Sequence, residues 1–220
     1  MKRGLVLITV ASAGVLLAVA GCGSSGGSKG SSKYAASAAP APANGAAPWP
    51  APPNPLALAR KAGLQPERRE QLAYHVHAHL DVFVNGKPVT VPAGIGINIH
   101  DPGVKSGTDQ ATGAKSYGDI RLCAKPCISP LHTHDTTGVL HTESATPTPN
   151  RLGQFFTEWA VRLDKSCVGG YCRPQAPIAI FLDGKRYNGD PRSIGLANHL
   201  EIAIVIGSPP STIPDFSTLV

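Results

Sequence analysis

The stretch YHVHAHLDVFVNG, residues 74–86, alternates polar and apolar from His75 to Val82 and closes on Asn-Gly. Val76, Ala78, Leu80, Val82 and Val84 occupy one parity, and His75, His77, His79 and Asp81 the other. Successive side chains of a strand leave on opposite faces, so a period of two marks a strand with one face in a core. Asn85-Gly86 supplies the positive-φ pair of a tight hairpin, and KPVTVPAGIGI, residues 87–97, is expected to return as its partner. The domain is therefore built on a sheet, with a row of imidazoles on the polar face of one strand.

The remaining elements fit around this strand. Asn54-Pro55 is a cap and first-turn pair, which predicts a short helix in PLALARKAGL, residues 55–64, stopped at Gly63. Residues 101–117, DPGVKSGTDQATGAKSY, read as a polar loop. A second hairpin is expected in LHTHDTTGVLHTES, residues 131–144, with His132 and His134 sharing a face before the turn and His141 and Glu143 sharing one after it. RLGQFFTEWAVRL, residues 151–163, places Leu152, Phe155, Phe156, Trp159 and Leu163 at helical intervals behind Asn150 as cap. IAIFLDGKRY, residues 178–187, turns at Asp183-Gly184, and LEIAIVIG, residues 200–207, is a terminal apolar strand. The expected class is α+β, mainly β, a mixed sheet with hairpins around one principal helix. VFVNGKPV at 82–89 echoes IFLDGKRY at 180–187, a likeness that any Asn/Asp-Gly hairpin produces as readily as a duplication does.

The N-terminus concerns destination. Lys2 and Arg3 precede an apolar run from Leu5 to Ala20 that is shorter than the roughly 20 residues of a membrane span, the layout of a secretory signal peptide. VAGC, residues 19–22, resembles the lipobox of bacterial lipoproteins. That resemblance implies removal of residues 1–21, acylation of Cys22 by palmitate-type chains, and anchoring on the extracytoplasmic side of the cell membrane. Residues 22–55 are Gly/Ser-rich and then Ala/Pro-rich, with too little apolar surface to offset ordering entropy, and are expected to be a disordered tether. Residues 56–220 remain as a single folded domain, divisible into halves 56–117 and 118–220.

The formal charge of +6 comes from scattered basic residues without aromatic interleaving, which excludes a nucleic-acid surface. The partners expected are the membrane, through the anchor, or another envelope protein. Cys123, Cys127, Cys167 and Cys172 fit two disulfides in an exported protein, with three connectivities open and the local pairs favoured by the Gly169-Gly170 turn. A four-thiolate zinc site in CAKPC and CVGGYC is the alternative.

The order hairpin, helix, strand, loop, terminal strand over about residues 130–207 resembles the β-grasp layout of ubiquitin-like domains, which implies a mixed sheet wrapped around a helix. HVHAHLDVFVNGKPVTVPAGIGI, LHTHDTTGVLHTES, LGQFF and GDPRSIGL together resemble a set of uncharacterised exported bacterial and archaeal proteins. No activity, cofactor or functional residue comes with that likeness.

His-x-His on a strand spaces two imidazoles about 6.6–6.8 Å apart on one face, where they can converge on one ion. The two such pairs predict a metal centre with His77, His79, His132 and His134 as ligands, His75 as a further candidate, and Asp135 or Asp81 as a fifth ligand or an orienting partner. His75 and His79 are too far apart to join His77 on the same ion. Imidazole-rich sites suit Zn(II), Cu(II) or Ni(II). The function expected is capture, buffering or delivery of such a metal. The alternative is a non-metal envelope interaction domain whose histidines are satisfied by Thr133, Asp135 and Thr137. A metal-dependent hydrolase with Asp135 or Glu143 as base ranks lower, since the chain has neither a Gly-x-Ser-x-Gly elbow nor a His-Glu-x-x-His helix. His100 and His199 fall in loops, and His141 is unassigned.

Overall fold

The alternating stretch forms β1 (Tyr74–Val84), the longest strand of the chain's main sheet. The computed structural model describes residues 44–110 and 112–214, so the signal peptide, Cys22 and most of the expected tether lie outside the described residues. Asn85 and Gly86, at φ 50° and 78°, turn the chain into β2 (Lys87–Val89). That return is brief. Beyond Val89 the chain leaves the sheet, and Ile95 and Ile97 are buried elsewhere.

Four further strands precede the second helix: β3 (Lys105–Thr108), β4 (Lys115–Gly118), β5 (Leu131–His132) and β6 (Val139–Ser144). After it come β7 (Cys167–Val168), β8 (Tyr171–Cys172), β9 (Ile178–Leu182), β10 (Lys185–Tyr187) and β11 (Leu200–Ile206). The main sheet runs β10-β9-β11-β1-β6-β5, with β2 also on β1. It is mixed: β1 is parallel to β11 from Ala78↔Leu200 to Val84↔Ile206 and antiparallel to its other neighbours. One edge of β1 serves two partners in turn, β6 along residues 74–79 and β2 along 82–84. The segment expected as a polar loop, 101–117, instead contains the β3–β4 ribbon.

Two seven-residue helices, α1 (Pro55–Lys61) and α2 (Leu152–Glu158), stand in place of one principal helix, and they pack on one another. Neither expected cap residue works as a side-chain cap. Asn54 makes no capping bond, and Asn150 is buried with its amide turned toward Thr142 while Arg151 takes the cap position. Leu152, Phe155, Phe156 and Trp159 of the α2 region meet Ala78, Leu80, Val82, Leu131, Leu140, Ile202 and Ile204 in the main core. Trp49 joins them, edge-on to Trp159 at 5.7 Å, and its carbonyl accepts the Trp159 indole N–H at 3.1 Å. The folded part therefore already includes Trp49, inside the expected tether.

A smaller cluster of Ile97, Ile120, Ile128 and the Cys123–Cys127 disulfide lies apart from the main core. The second disulfide, Cys167–Cys172, closes the β7–β8 ribbon, so the pairing is local in both cases. Among the described residues, no helix is long and apolar enough to cross a membrane.

Candidate metal centre

Strand β6 lies between β1 and β5, and the register sets His77 opposite His141 and His141 opposite His132. Three imidazoles thus form a row across three strands, spaced by the roughly 4.8 Å between neighbours. One step along, His75 is opposite Glu143. The intervening residues Ala78, Leu131 and Leu140 point into the main core, so these side chains share the other face. His134, beyond the end of β5, folds back until its ring centroid is 4.4 Å from that of His141.

The polar atoms converge. The Nε2 atoms of His75 and His77 are 2.8 Å apart, and those of His132 and His134 are 3.2 Å apart. Glu143 Oε1 lies 3.2 Å from His75 Nε2, 3.5 Å from His141 Nδ1 and 3.7 Å from His132 Nε2. Ligands at about 2.0–2.1 Å around a tetrahedral ion are about 3.4 Å from one another, the range of these separations. His132, His134, His141 and Glu143 form one group able to hold an ion, and His75, His77 and His141 form another.

Backbone carbonyls fix two of the rings. His132 Nδ1 donates to Ser129 O at 2.9 Å, and His134 Nδ1 donates to the Tyr117 carbonyl. A carbonyl only accepts, so each Nδ1 carries a proton, and in its neutral form each ring turns an Nε2 lone pair inward. Two lone pairs facing across 3.2 Å repel unless a cation or proton lies between them. Both carbonyls come from the region between β2 and β5, which joins the smaller apolar cluster through Tyr117 and Ile128. Gly96 lets this segment approach: at φ +75°, a Cβ there would stand 2.4 Å from Leu131 O and 3.1 Å from His132 Cβ.

Burial keeps the inner rings uncharged. His132 is fully buried and its pKa falls well below the usual histidine value, first through desolvation and then through His134. Desolvation, with His134, His77 and His75 nearby, brings His141 down to about 2. His77 is lowered by burial and by His75. Neutral imidazole is the form that coordinates metal. Among the described residues, His141 Nδ1 and Glu143 Oε2 are buried without a hydrogen-bond partner.

Of the residues expected from sequence, the structure brings together His75, His77, His132 and His134. His79 is turned away: its Nδ1 donates to Glu201 Oε2 at 2.6 Å and its Nε2 donates to Thr137 O at 2.7 Å. Burial pulls its pKa down, but the bond to Glu201 and that carboxylate's charge raise it further, so the ring is an imidazolium rather than a ligand. Asp81 is 3.7 Å from His79 Nδ1 and belongs with this pair. Although His79, Asp81 and Glu201 are close enough for an ion, neither nitrogen of His79 has a free lone pair. Asp135 caps its own turn, accepting from the Thr137 amide and hydroxyl, and takes no place in the cluster. Conversely, His141 and Glu143 stand at its middle. Their alternation in VLHTES, opposite His132 across a hairpin, is the sequence signal that could have found them. No protein-family model, curated protein or solved structure matches this chain.

Proposed function

We propose that this domain binds a transition-metal ion, Zn(II), Cu(II) or Ni(II), through His75, His77, His132, His134, His141 and Glu143, for capture, buffering or delivery at the cell envelope. The supporting observation is the inward pair of Nε2 atoms on His132 and His134, whose tautomers are set by Ser129 O and Tyr117 O. All-nitrogen and carboxylate donors favour these borderline ions over Cu(I), which prefers sulfur. The β-grasp likeness belongs here too, with β1–β2 rather than residues 131–144 as its opening hairpin and the segment through β6 as an insertion that carries His132, His134, His141 and Glu143 to the centre, opposite His75 and His77 of β1. The lipobox at 19–22 puts the domain on a lipid anchor at Cys22, and Cys22→Ala is expected to release it from membranes.

Elemental analysis of tag-free protein, followed by calorimetric titration with each ion, tests the metal reading. Wild type is expected to bind at least one equivalent, and His134→Ala to bind at least tenfold more weakly. Wild type that takes up none of the three ions would favour the envelope interaction domain instead.

A further inference from the structure

We infer that the centre holds two ions side by side, bridged by the Glu143 carboxylate, the inner one on His132, His134 and His141 and the outer one on His75 and His77. This rests on the metal-binding reading above. The donors fall into two groups, His132, His134, His141 and Glu143 in one and His75, His77 and His141 in the other, each with ligand atoms within 4.8 Å of one another. Opposite donors on a single ion are at most about 4.2 Å apart, twice the usual bond length. Among the described residues no single group of this kind contains all six donors, so one ion held by either group leaves donors of the other unused.

Glu143 joins the groups. Its Oε1 reaches His75 Nε2 on one side and His132 Nε2 and His141 Nδ1 on the other. Its Oε2 is buried without a partner, although the residue is only 4 % exposed. A carboxylate with one oxygen between two ligand sets and the other free is placed to bridge ions about 3.5–4 Å apart, the spacing of two-metal sites. His141 is common to both groups, and its Nδ1 facing Glu143 assigns it to the inner ion.

The two positions differ in access. With three imidazoles and a carboxylate oxygen, the inner ion has the four ligands of a closed site, and His132 at 0 % exposure seals it. The outer group is His75, His77 and His141, so with His141 given to the inner ion the outer one keeps two imidazoles and the Glu143 oxygen that lies 3.2 Å from His75 Nε2, which leaves a coordination position open. The His75 side chain, at 37 % exposure, borders solvent there. The inner ion is thus the structural one, and the outer ion is the one that exchanges.

Co(II) serves as the probe, since its visible absorption reports coordination and its amount can be counted. The full chain, stripped with a chelator, is titrated with Co(II) and analysed after gel filtration. The expected result is two ions per chain, taken up in two steps, with the weaker step lost and one ion retained in His75→Ala/His77→Ala. Wild type holding one ion would overturn the two-ion inference and leave metal binding intact. Wild type holding none of Co(II), Zn(II), Cu(II) and Ni(II) would overturn both, and a double variant that keeps two ions would overturn the assignment of the outer site. The wild-type count decides the number of ions even if the variant fails to fold.

Discussion

Glu158 and His79 show how burial, without and with a charged partner, changes what a residue does. Glu158 ends α2 at 0 % exposure, and among the described residues no well-formed hydrogen bond reaches either carboxylate oxygen. Desolvation holds its carboxyl well above the usual range, with Ser129 the one group drawing it back. The folded state therefore keeps a proton that the unfolded chain releases, and stability falls as pH rises from the ordinary glutamate value near 4.5 toward the folded one. Glu158→Gln is expected to be more stable than wild type at neutral pH, the advantage growing by at most about 1.4 kcal/mol per pH unit across that window and vanishing below it. Urea unfolding at pH 4, 6 and 8 measures this, and a constant difference would refute it. His79 has the opposite arrangement, a buried charge with a partner. His79→Ala would strand Glu201 and is expected to cost about 3–5 kcal/mol of stability while leaving the number of bound metal ions unchanged. In the sequence His79 is indistinguishable from His77, because the partner that separates them is 122 positions away and meets it only through the β1–β11 pairing.

At the scale of elements, legibility followed the strength of local pattern. Strand β1 and its Asn-Gly turn could be read because alternation and turn chemistry agree. The β3–β4 ribbon could not, since KSGT and KSYG offer no apolar alternation and the ribbon lies outside the main sheet. Helix α2 was visible by spacing and α1 by Pro55 at its first turn, but the caps were not: Asn54 makes no capping bond, and tertiary contacts claimed Asn150. His141 was the larger omission. Its role follows from β6 lying between the two His-x-His strands, and that order is set by long-range pairing. The loop carrying Gly96 also acts through position. Gly96→Ala meets a left-handed backbone, which alone costs about 1–2 kcal/mol, and a clash with Leu131 O beneath His132. It is expected to lower both the unfolding free energy and the affinity for Zn(II). Thermal melts with and without metal test this, and an unchanged affinity would show that β5 is not held from that side.

For the whole molecule, the sheet, the disulfides and the proposed metal would act on one folding equilibrium. The centre joins β1, β5 and β6 with carbonyls from the preceding segment, so an unfolded chain has no site to offer. On the proposed function, a bound ion would stabilise the fold by mass action, by about 4.1 kcal/mol when free ion is a thousandfold above Kd. The histidines give this a pH dependence. His132, His141 and His77 are held below their ordinary value of 6.5, so the unfolded chain takes up protons that the folded state refuses. Stability of the metal-free protein should therefore decline as pH drops through and below 6.5, the reverse of the Glu158 effect. Because burial has already removed protons from the inner rings, Zn(II) has few to displace there, and its stabilisation should persist at pH 6. Thermal melts of stripped and Zn(II)-loaded protein between pH 5 and 8 separate the contributions. A melting temperature for the stripped protein that stays level or rises on acidification would mean that the rings accept protons in the folded state, and that their convergence is held by shared protons rather than prepared for a cation.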